Sequence, residues 1–402
     1  MLKTKVITDV DKINQLLTHG VAEVISKDNL EKALASGRRL RVKLGIDPTS
    51  PNIHIGRAVA LWKLRAFQEL GHTAVFIVGD FTGLIGDTSD KDTERPMLSE
   101  KEIKANLKTY FNQAFKILDK KNTETHYNSE WLSKLGFLEL AKIANLFGLH
   151  EFESRELIAK RIKAGQRVSL REVLYPLMQG YDSVAIKADV ELGGTDQKFN
   201  LLAGRHIQEF YQQPPQNIVM TSLLEGLDGR KMSSSWGNAI NITDESNEMF
   251  GKVMSIKDDF IERYFMLATN VSRETIISVL AKGPRDAKLE LAKEIVRLYH
   301  GEESAKLAQE YFVNVFSKKD LSATELSEFK IRTNKLSVLE LILFRQTAKL
   351  ISLKSKLEAK RLISQGAVQI NGVTKKDFWE VVELKGGETL KIGKAFFRIK
   401  II

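Results

Sequence analysis

Residues 44–61, LGIDPTSPNIHIGRAVAL, place Asp47, two prolines and two hydroxyl residues between an apolar run and the start of an amphipathic segment. His54, Gly56 and Arg57 stand at the junction. A helix beginning there leaves backbone N–H groups unpaired and the positive end of its dipole exposed, which makes a seat for a phosphate or another anion. Glycine in such a loop lets backbone and ligand approach closely. Far downstream, KMSSS (231–235) carries Lys231 on a serine-rich loop, a mobile cation that could meet the same anion. Taken singly, both strings are weak, because strand–loop–helix connections and serine-rich loops are common. They flank further polar segments: DFTGLIGD (80–87), SDKDTERP (89–96), YPLMQGYDS (175–183) and LGGTDQKFN (192–200).

The elements that must position these residues read as α/β in the first half. LRVKLGI (40–46) and TAVFIVGD (73–80) are short apolar runs bounded by Gly, Asp and Pro, as buried strands are. Between them, residues 58–70 set Val59, Trp62, Leu64, Phe67 and Leu70 near helical spacing, and Gly71 supplies a stop. Strand, crossover helix and strand form a parallel unit whose ligands sit at the carboxyl ends of its strands. A further strand, NIVMTSLL (217–224), precedes the loop EGLDGRKMSSSWGN. From about Glu248 to Phe316 apolar residues recur every three or four positions, so helices are expected, and SKKDLSATE (317–325) reads as a linker. The last block opens with helices, among them SKLEAKRLISQG (355–366), which sets Leu357, Leu362 and Ile363 against Lys354, Lys356, Lys360 and Arg361. AVQINGVTK then contains an Asn-Gly hairpin signal, and short strands follow.

Composition bounds the rest. The chain has 402 residues, long enough for two or three domains, with 43% hydrophobic and 28% charged residues, ordinary for a globular protein. It has no cysteine, which excludes disulfides, thiolate metal sites and thiol nucleophiles. The N-terminal segment MLKTKVITDVDKINQLL lacks a signal-type apolar core, and no window reaches membrane-spanning length, so a cytoplasmic setting is expected. Net charge is +10, of which residues 336–402, with 13 Lys plus Arg against 6 Asp plus Glu, carry +7. A basic block on a nearly neutral body suggests a polyanion contact or, more blandly, a solvated surface.

Taken together and in this order, the motifs resemble those of class I aminoacyl-tRNA synthetases, specifically the bacterial tyrosyl-tRNA synthetases, from the Asp-Pro-Thr loop to a C-terminal S-four RNA-binding domain. The resemblance implies a Rossmann-like parallel-sheet catalytic domain over 1–246. It further implies an α-helical anticodon-side domain with its linker over 247–325 and a small α+β RNA-binding domain over 336–402. It also implies that tyrosine is activated by ATP, with release of pyrophosphate, and transferred to the terminal adenosine of tRNA(Tyr). On that resemblance His54, Arg57, Lys91, Arg95, Lys231 and Ser234 would act on the phosphates. Gly45, Asp47, Gly56, Gly194 and Asp196 would join His54 and Lys231 around ATP. Asp47, Thr82, Asp87, Tyr175, Gln179 and Gln197 would surround the tyrosine backbone, and Asp182 would read its phenol. Acidic groups converging on a small pocket suit an ammonium and a phenolic donor. Lys354, Lys356, Lys360 and Arg361 would face RNA. Mg2+ would accompany ATP without a dedicated protein site, and a homodimer is implied.

An anion attacks an anion in this reaction, so charge moving onto the leaving group must be neutralised. Two motif positions depart from the family. HIGR has Arg57 where the family has a second histidine, and KMSSS has Ser234 where it has a second lysine. One cation is gained and one lost: either Arg57 takes over part of the phosphate contact missing at Ser234, or both positions have drifted and the enzyme is slower. Lys43 stands where some relatives carry a tyrosine that helps read the phenol. A related tryptophanyl enzyme, and an RNA-binding protein that has lost catalysis, are the competing readings; Asp182 and the C-terminal block oppose the first.

Overall fold

The computed structural model describes residues 5–87, 97–318, 327–344, 353, 355–393 and 395–402. Lys91, Arg95 and Lys354 therefore lie outside the described residues. The chain divides into two compact units, Met1–Gln309 and Glu310–Ile402. The expected helical segment after residue 246 is counted, up to Gln309, within the first unit, because its helices pack on the catalytic half. Helix Ser246–Met254 lies on helix Pro284–His300, and helix Ile261–Ala268 touches helix Ile55–Glu69.

The first unit is built on six strands: β1 (Val21–Ile25), β2 (Arg41–Ile46), β3 (Thr73–Val78), β4 (Thr123–Tyr127), β5 (Val190–Gly194) and β6 (Asn217–Thr221). Their order is β1-β6-β5-β2-β3-β4, all parallel except β1, which runs antiparallel to β6 at the edge. The central strands are buried on both faces: Val42, Ala74, Val75, Phe76, Ile77 and Val78 are all inaccessible. That is why these stretches read as continuous apolar runs without alternation. The crossover helix after β2 spans Ile55–Glu69 and buries Ile55, Ala58, Leu61, Leu64 and Phe67. Trp62, expected in this stripe, is only half-buried and donates through Nε1 to the Tyr299 hydroxyl at 3.0 Å. Gly71 ends the element at φ +89, where a Cβ would lie 2.6 Å from the Lys5 carbonyl oxygen.

Strand order reverses between β2 and β5. β2 crosses over to β3 on one side, while β5 pairs with β6 on the other, so the loops leaving β2 and β5 diverge and open a crevice. Open parallel sheets bind ligands at such a switch point.

In the second unit, β7 (Ser327–Ile331), β9 (Val368–Ile370), β10 (Val373–Lys375), β12 (Thr389–Ile392) and β13 (Ala395–Ile401) form one sheet. β8 (Lys335–Ser337) and β11 (Val381–Glu383) form a second. The unit thus includes β7, ahead of the expected start at residue 336. Asn371 and Gly372 join β9 to β10 with φ of +47 and +80, the paired left-handed turn that an Asn-Gly step favours. Helices Val338–Leu343 and Lys356–Ser364 pack on each other, and Val338, Leu341, Ala359 and Ile363 enter the core of this unit.

Candidate active site

At the switch point lies a cavity of about 570 Å³. Its wall includes Gly45 near the end of β2 and Asp47, His54, Gly56 and Arg57 after it, Thr82 and Asp87 after β3, and Gly194 at the end of β5 with Asp196 and Gln197 after it. Helix Leu170–Ile186 contributes Tyr175, Gln179 and Asp182, spaced four and three residues apart and so on one helical face. Lys231 and Ser234 close the wall from the serine-rich loop.

His54 caps the crossover helix, its Nδ1 accepting from the Arg57 backbone N–H at 3.2 Å. That bond leaves the proton on Nε2, a donor available for an anion. Burial first, then the Arg57 and Lys231 cations, hold its pKa well below the usual histidine value, so the ring is neutral. The loop behind it is anchored to the downstream segment. Ile55 N donates to Ile240 O at 2.8 Å, Ile242 N donates to Ile53 O at 3.0 Å, and Ser50 Oγ donates to Ser234 Oγ at 3.2 Å. A Cβ on Gly56 would meet Met232 Cβ at 3.3 Å, so the two motifs are in packing contact there. A Cβ on Gly45 would meet nothing within 4 Å.

Arg57 braces this loop. Its guanidinium donates to Tyr110 Oη at 2.6 Å, Thr49 Oγ1 at 2.7 Å and the Asp47 carbonyl at 3.3 Å. Lys231 is paired with Asp196 at 2.6 Å.

A second network holds the far end of the cavity. Asp47 accepts from Thr82 Oγ1 at 2.7 Å and from the Tyr175 hydroxyl at 2.9 Å. Gly79 makes this possible: a Cβ there would fall 2.1 Å from Asp47 Oδ1 and 2.2 Å from Thr82 Oγ1. Burial first, then the Asp47 charge, keep the Tyr175 phenol protonated, its pKa pushed well up. Gln197 donates to Asp87 at 2.7 Å, and Asn200 donates to both Gln197 Oε1 and Gln179 Oε1 at 3.0 Å, which fixes the two glutamine amides. Asp182 is buried, accepting from Trp131 Nε1 at 2.7 Å and Asn128 Nδ2 at 3.3 Å. Burial raises its pKa to about 7, against the opposing pull of Lys43 and those two donors.

Sequence reasoning missed Gly79, Asn128 and Trp131, which touch candidate residues without belonging to a recognised motif. Lys43 does not line the cavity. It is fully buried behind it, and its contacts are described below.

In the second unit Lys356 and Arg361 are exposed. Lys360 is half-buried instead, its Nζ lying 4.9 Å over the Phe378 ring and 5.6 Å over Trp379. A cation gains from such ring faces, which explains its turn. No helix among the described residues is long and apolar enough to cross a membrane, and none of their His, Asp or Glu side chains cluster in threes that could hold a metal.

The fold and the paired loops define a class I synthetase architecture. A model of the class I tRNA synthetases for tryptophan and tyrosine matches residues 35–317, and the chain belongs to that family. Within it, the chain is 46% identical to the tyrosine–tRNA ligase of Thermotoga maritima, with 96% of each chain covered. It is 47% identical to that of Carboxydothermus hydrogenoformans, over 96% of this chain and 97% of that one. Among solved structures, the Archaeoglobus fulgidus tyrosyl-tRNA synthetase complexed with L-tyrosine aligns with a TM-score of 0.60 at 22% identity, covering 75% of this chain and all of that one. A truncated mitochondrial enzyme from Aspergillus nidulans gives 0.63 at 21% identity, over 76% and 94%. At such identities these two likenesses bear on the fold alone.

Proposed function

We infer that the chain is a tyrosine–tRNA ligase. A carboxylate oxygen of L-tyrosine attacks the α-phosphorus of ATP, the bond to the β-phosphate oxygen breaks, and pyrophosphate leaves. A ribose hydroxyl of the terminal adenosine of tRNA(Tyr) then attacks the tyrosyl carbonyl and AMP departs. The observation that carries this reading is one cavity closed at one end by His54, Lys231 and Ser234 and furnished at the other with Asp182, a buried carboxylate aimed by two donors.

On this reading the neutral His54 donates its Nε2 proton to the phosphates, and Lys231 leaves Asp196 for the polyphosphate, freeing Asp196 for the ribose. Preorganised donors at the site of developing charge lower the barrier without reorganisation during the step. Arg57 adds a fixed positive charge at the same wall, and Lys91 and Arg95 would hold the departing pyrophosphate. Mg2+ would accompany ATP without a dedicated protein site and would supply charge neutralisation on the phosphates. Asp87, Gln179 and Gln197 take the tyrosine ammonium and carboxylate, while Asp47, Thr82 and Tyr175 shape that end. Asp182 accepts the phenolic O–H. A site built to bond a hydroxyl leaves its polar groups unpaired against phenylalanine, a rule for which tyrosyl enzymes are the standard illustration. The basic final unit grips tRNA through Lys356 and Arg361, with Lys354 and Lys360 in support, and the proposed setting is cytoplasmic.

A homodimer is also proposed. Phe137 and Leu170 are 87% and 79% exposed, on helices that pack against each other, and Leu138 and Leu149 add to the apolar surface. Such patches mark association surfaces. Light scattering of wild type and Phe137→Ser would show a dimer reduced to monomer.

The decisive experiment is tyrosine-dependent ATP–pyrophosphate exchange with phenylalanine and tryptophan as controls, followed by charging of tRNA(Tyr). Exchange with tyrosine alone is expected. Exchange driven by tryptophan would establish the tryptophanyl reading, and tRNA binding without any exchange would establish a non-catalytic protein.

A further inference from the structure

Behind the amino-acid end of the cavity, β2 and β5 each direct one charged side chain into the interior. Lys43 on β2 is 0% exposed and Glu191 on β5 is 1% exposed, with 2.9 Å between Lys43 Nζ and Glu191 Oε1. The ammonium has three N–H donors and three acceptors: Glu191 Oε1, the Gln179 carbonyl at 2.7 Å and Ser183 Oγ at 2.8 Å. Glu191 is equally engaged. Its Oε1 accepts from Gln179 Nε2 at 3.1 Å, and its Oε2 accepts from Ser183 Oγ at 3.1 Å and from Gln216 Nε2. Burying two charges is costly, and a hydrophobic pair of similar volume commonly serves stability as well or better. Stability alone therefore does not account for them.

Their contacts point to another role. Both charges bind Gln179 and Ser183, the residues bracketing the turn of helix Leu170–Ile186 that carries Asp182. Resting on the reading of Asp182 as the phenol acceptor, we propose that the Lys43–Glu191 pair is the positioning device for tyrosine selection. In this role it locks the Gln179–Ser183 turn in register and sets the local field so that Asp182 serves as an anionic acceptor. The charged and titratable groups that act on Asp182 are Lys43 on β2 and Glu191 on β5, with Trp131 and Asn128 donating to it and Tyr175 coupled to it on its own helix. Lys43 favours the anion more strongly than Glu191 opposes it.

The test is the pH profile of kcat/KM for tyrosine in ATP–pyrophosphate exchange, compared among wild type, Lys43→Met, Glu191→Gln and the double variant. Removing Lys43 should move the acid limb to higher pH, with roughly a tenfold loss at neutral pH for each unit moved. Glu191→Gln should move the limb to lower pH, and the double variant should fall between Lys43→Met and wild type. KM for ATP should be unchanged throughout. A structural prop would give losses in the same direction from both single variants with the limb fixed, and that outcome overturns the proposal. Should Lys43→Met not fold, the near-isosteric Glu191→Gln still decides by the direction of its shift. Asp182→Asn serves as the control: if it retains tyrosine exchange, the phenol reading itself fails. If it abolishes exchange while the limbs stay fixed in the other variants, only the role of the pair fails.

Discussion

Ser50 and Ser234, 184 positions apart, touch through their hydroxyls at 3.2 Å, so the loop after β2 and the serine-rich loop meet across the mouth of the cavity. The same closure brings Lys231 to Asp196 at 2.6 Å. A lysine so placed reaches a triphosphate by exchanging one anion for another.

Lys231→Ala should therefore slow tyrosine-dependent pyrophosphate exchange by about 10²–10³, the usual effect of losing one group that stabilises transition-state charge. KM for tyrosine should hardly change, since the tyrosine end is fixed by other residues. Pre-steady-state adenylate formation measures both.

Arg57→His should lower the same rate several-fold, because the guanidinium both braces Thr49 and Tyr110 and adds charge to the wall. A rate equal to or above wild type would show that Arg57 does not compensate for Ser234.

Asp182 links function to stability. Its pKa is raised to about 7 from an unfolded value near 3.8, so between those two values the folded state holds a proton that the unfolded state has lost. The stability this group contributes is thus present below about pH 4 and is lost as pH rises toward 7. Asp182→Asn removes the ionisation. The melting temperature of the variant relative to wild type should rise between pH 5 and pH 8, by the equivalent of up to a few kcal/mol. Scanning calorimetry at both pH values reads this difference.

Gly79→Ala should disrupt the Asp47–Thr82 bond, since the new methyl would lie 2.1 Å from Asp47 Oδ1. Overpacking of this kind costs about 1–3 kcal/mol, and KM for tyrosine should rise with it. Denaturant melts and exchange kinetics would register the two effects separately.

Lys356→Ala with Arg361→Ala should leave exchange intact and weaken tRNA binding. Each lost phosphate contact removes about 0.7–0.9 from the slope of log affinity against log salt, so the double variant should lose about 1.4–1.8. Filter binding across a salt series checks this, and an unchanged slope would remove these cations from the RNA face.

Much of the site was legible because its residues stand in short local motifs at the ends of locally readable elements. β2, β3 and the crossover helix announce themselves through apolar runs and helical spacing, and the Asn-Gly turn specifies its hairpin through backbone sterics alone. β1, β4 and β5 were not legible. Helix Leu170–Ile186 carries Pro176 in its interior, a residue that local propensity reads as a break.

The sequence by itself determined which side chains are available and the order of the motifs that carry them, because both are properties of the covalent chain. Only the tertiary structure decided their partners and ionisation. Lys43 met Glu191, 148 positions away, Lys360 turned onto two aromatic rings, and burial lifted Asp182 toward neutrality. The reason is physical: desolvation and Coulomb energy depend on distance and dielectric in the folded protein, and sequence separation fixes neither.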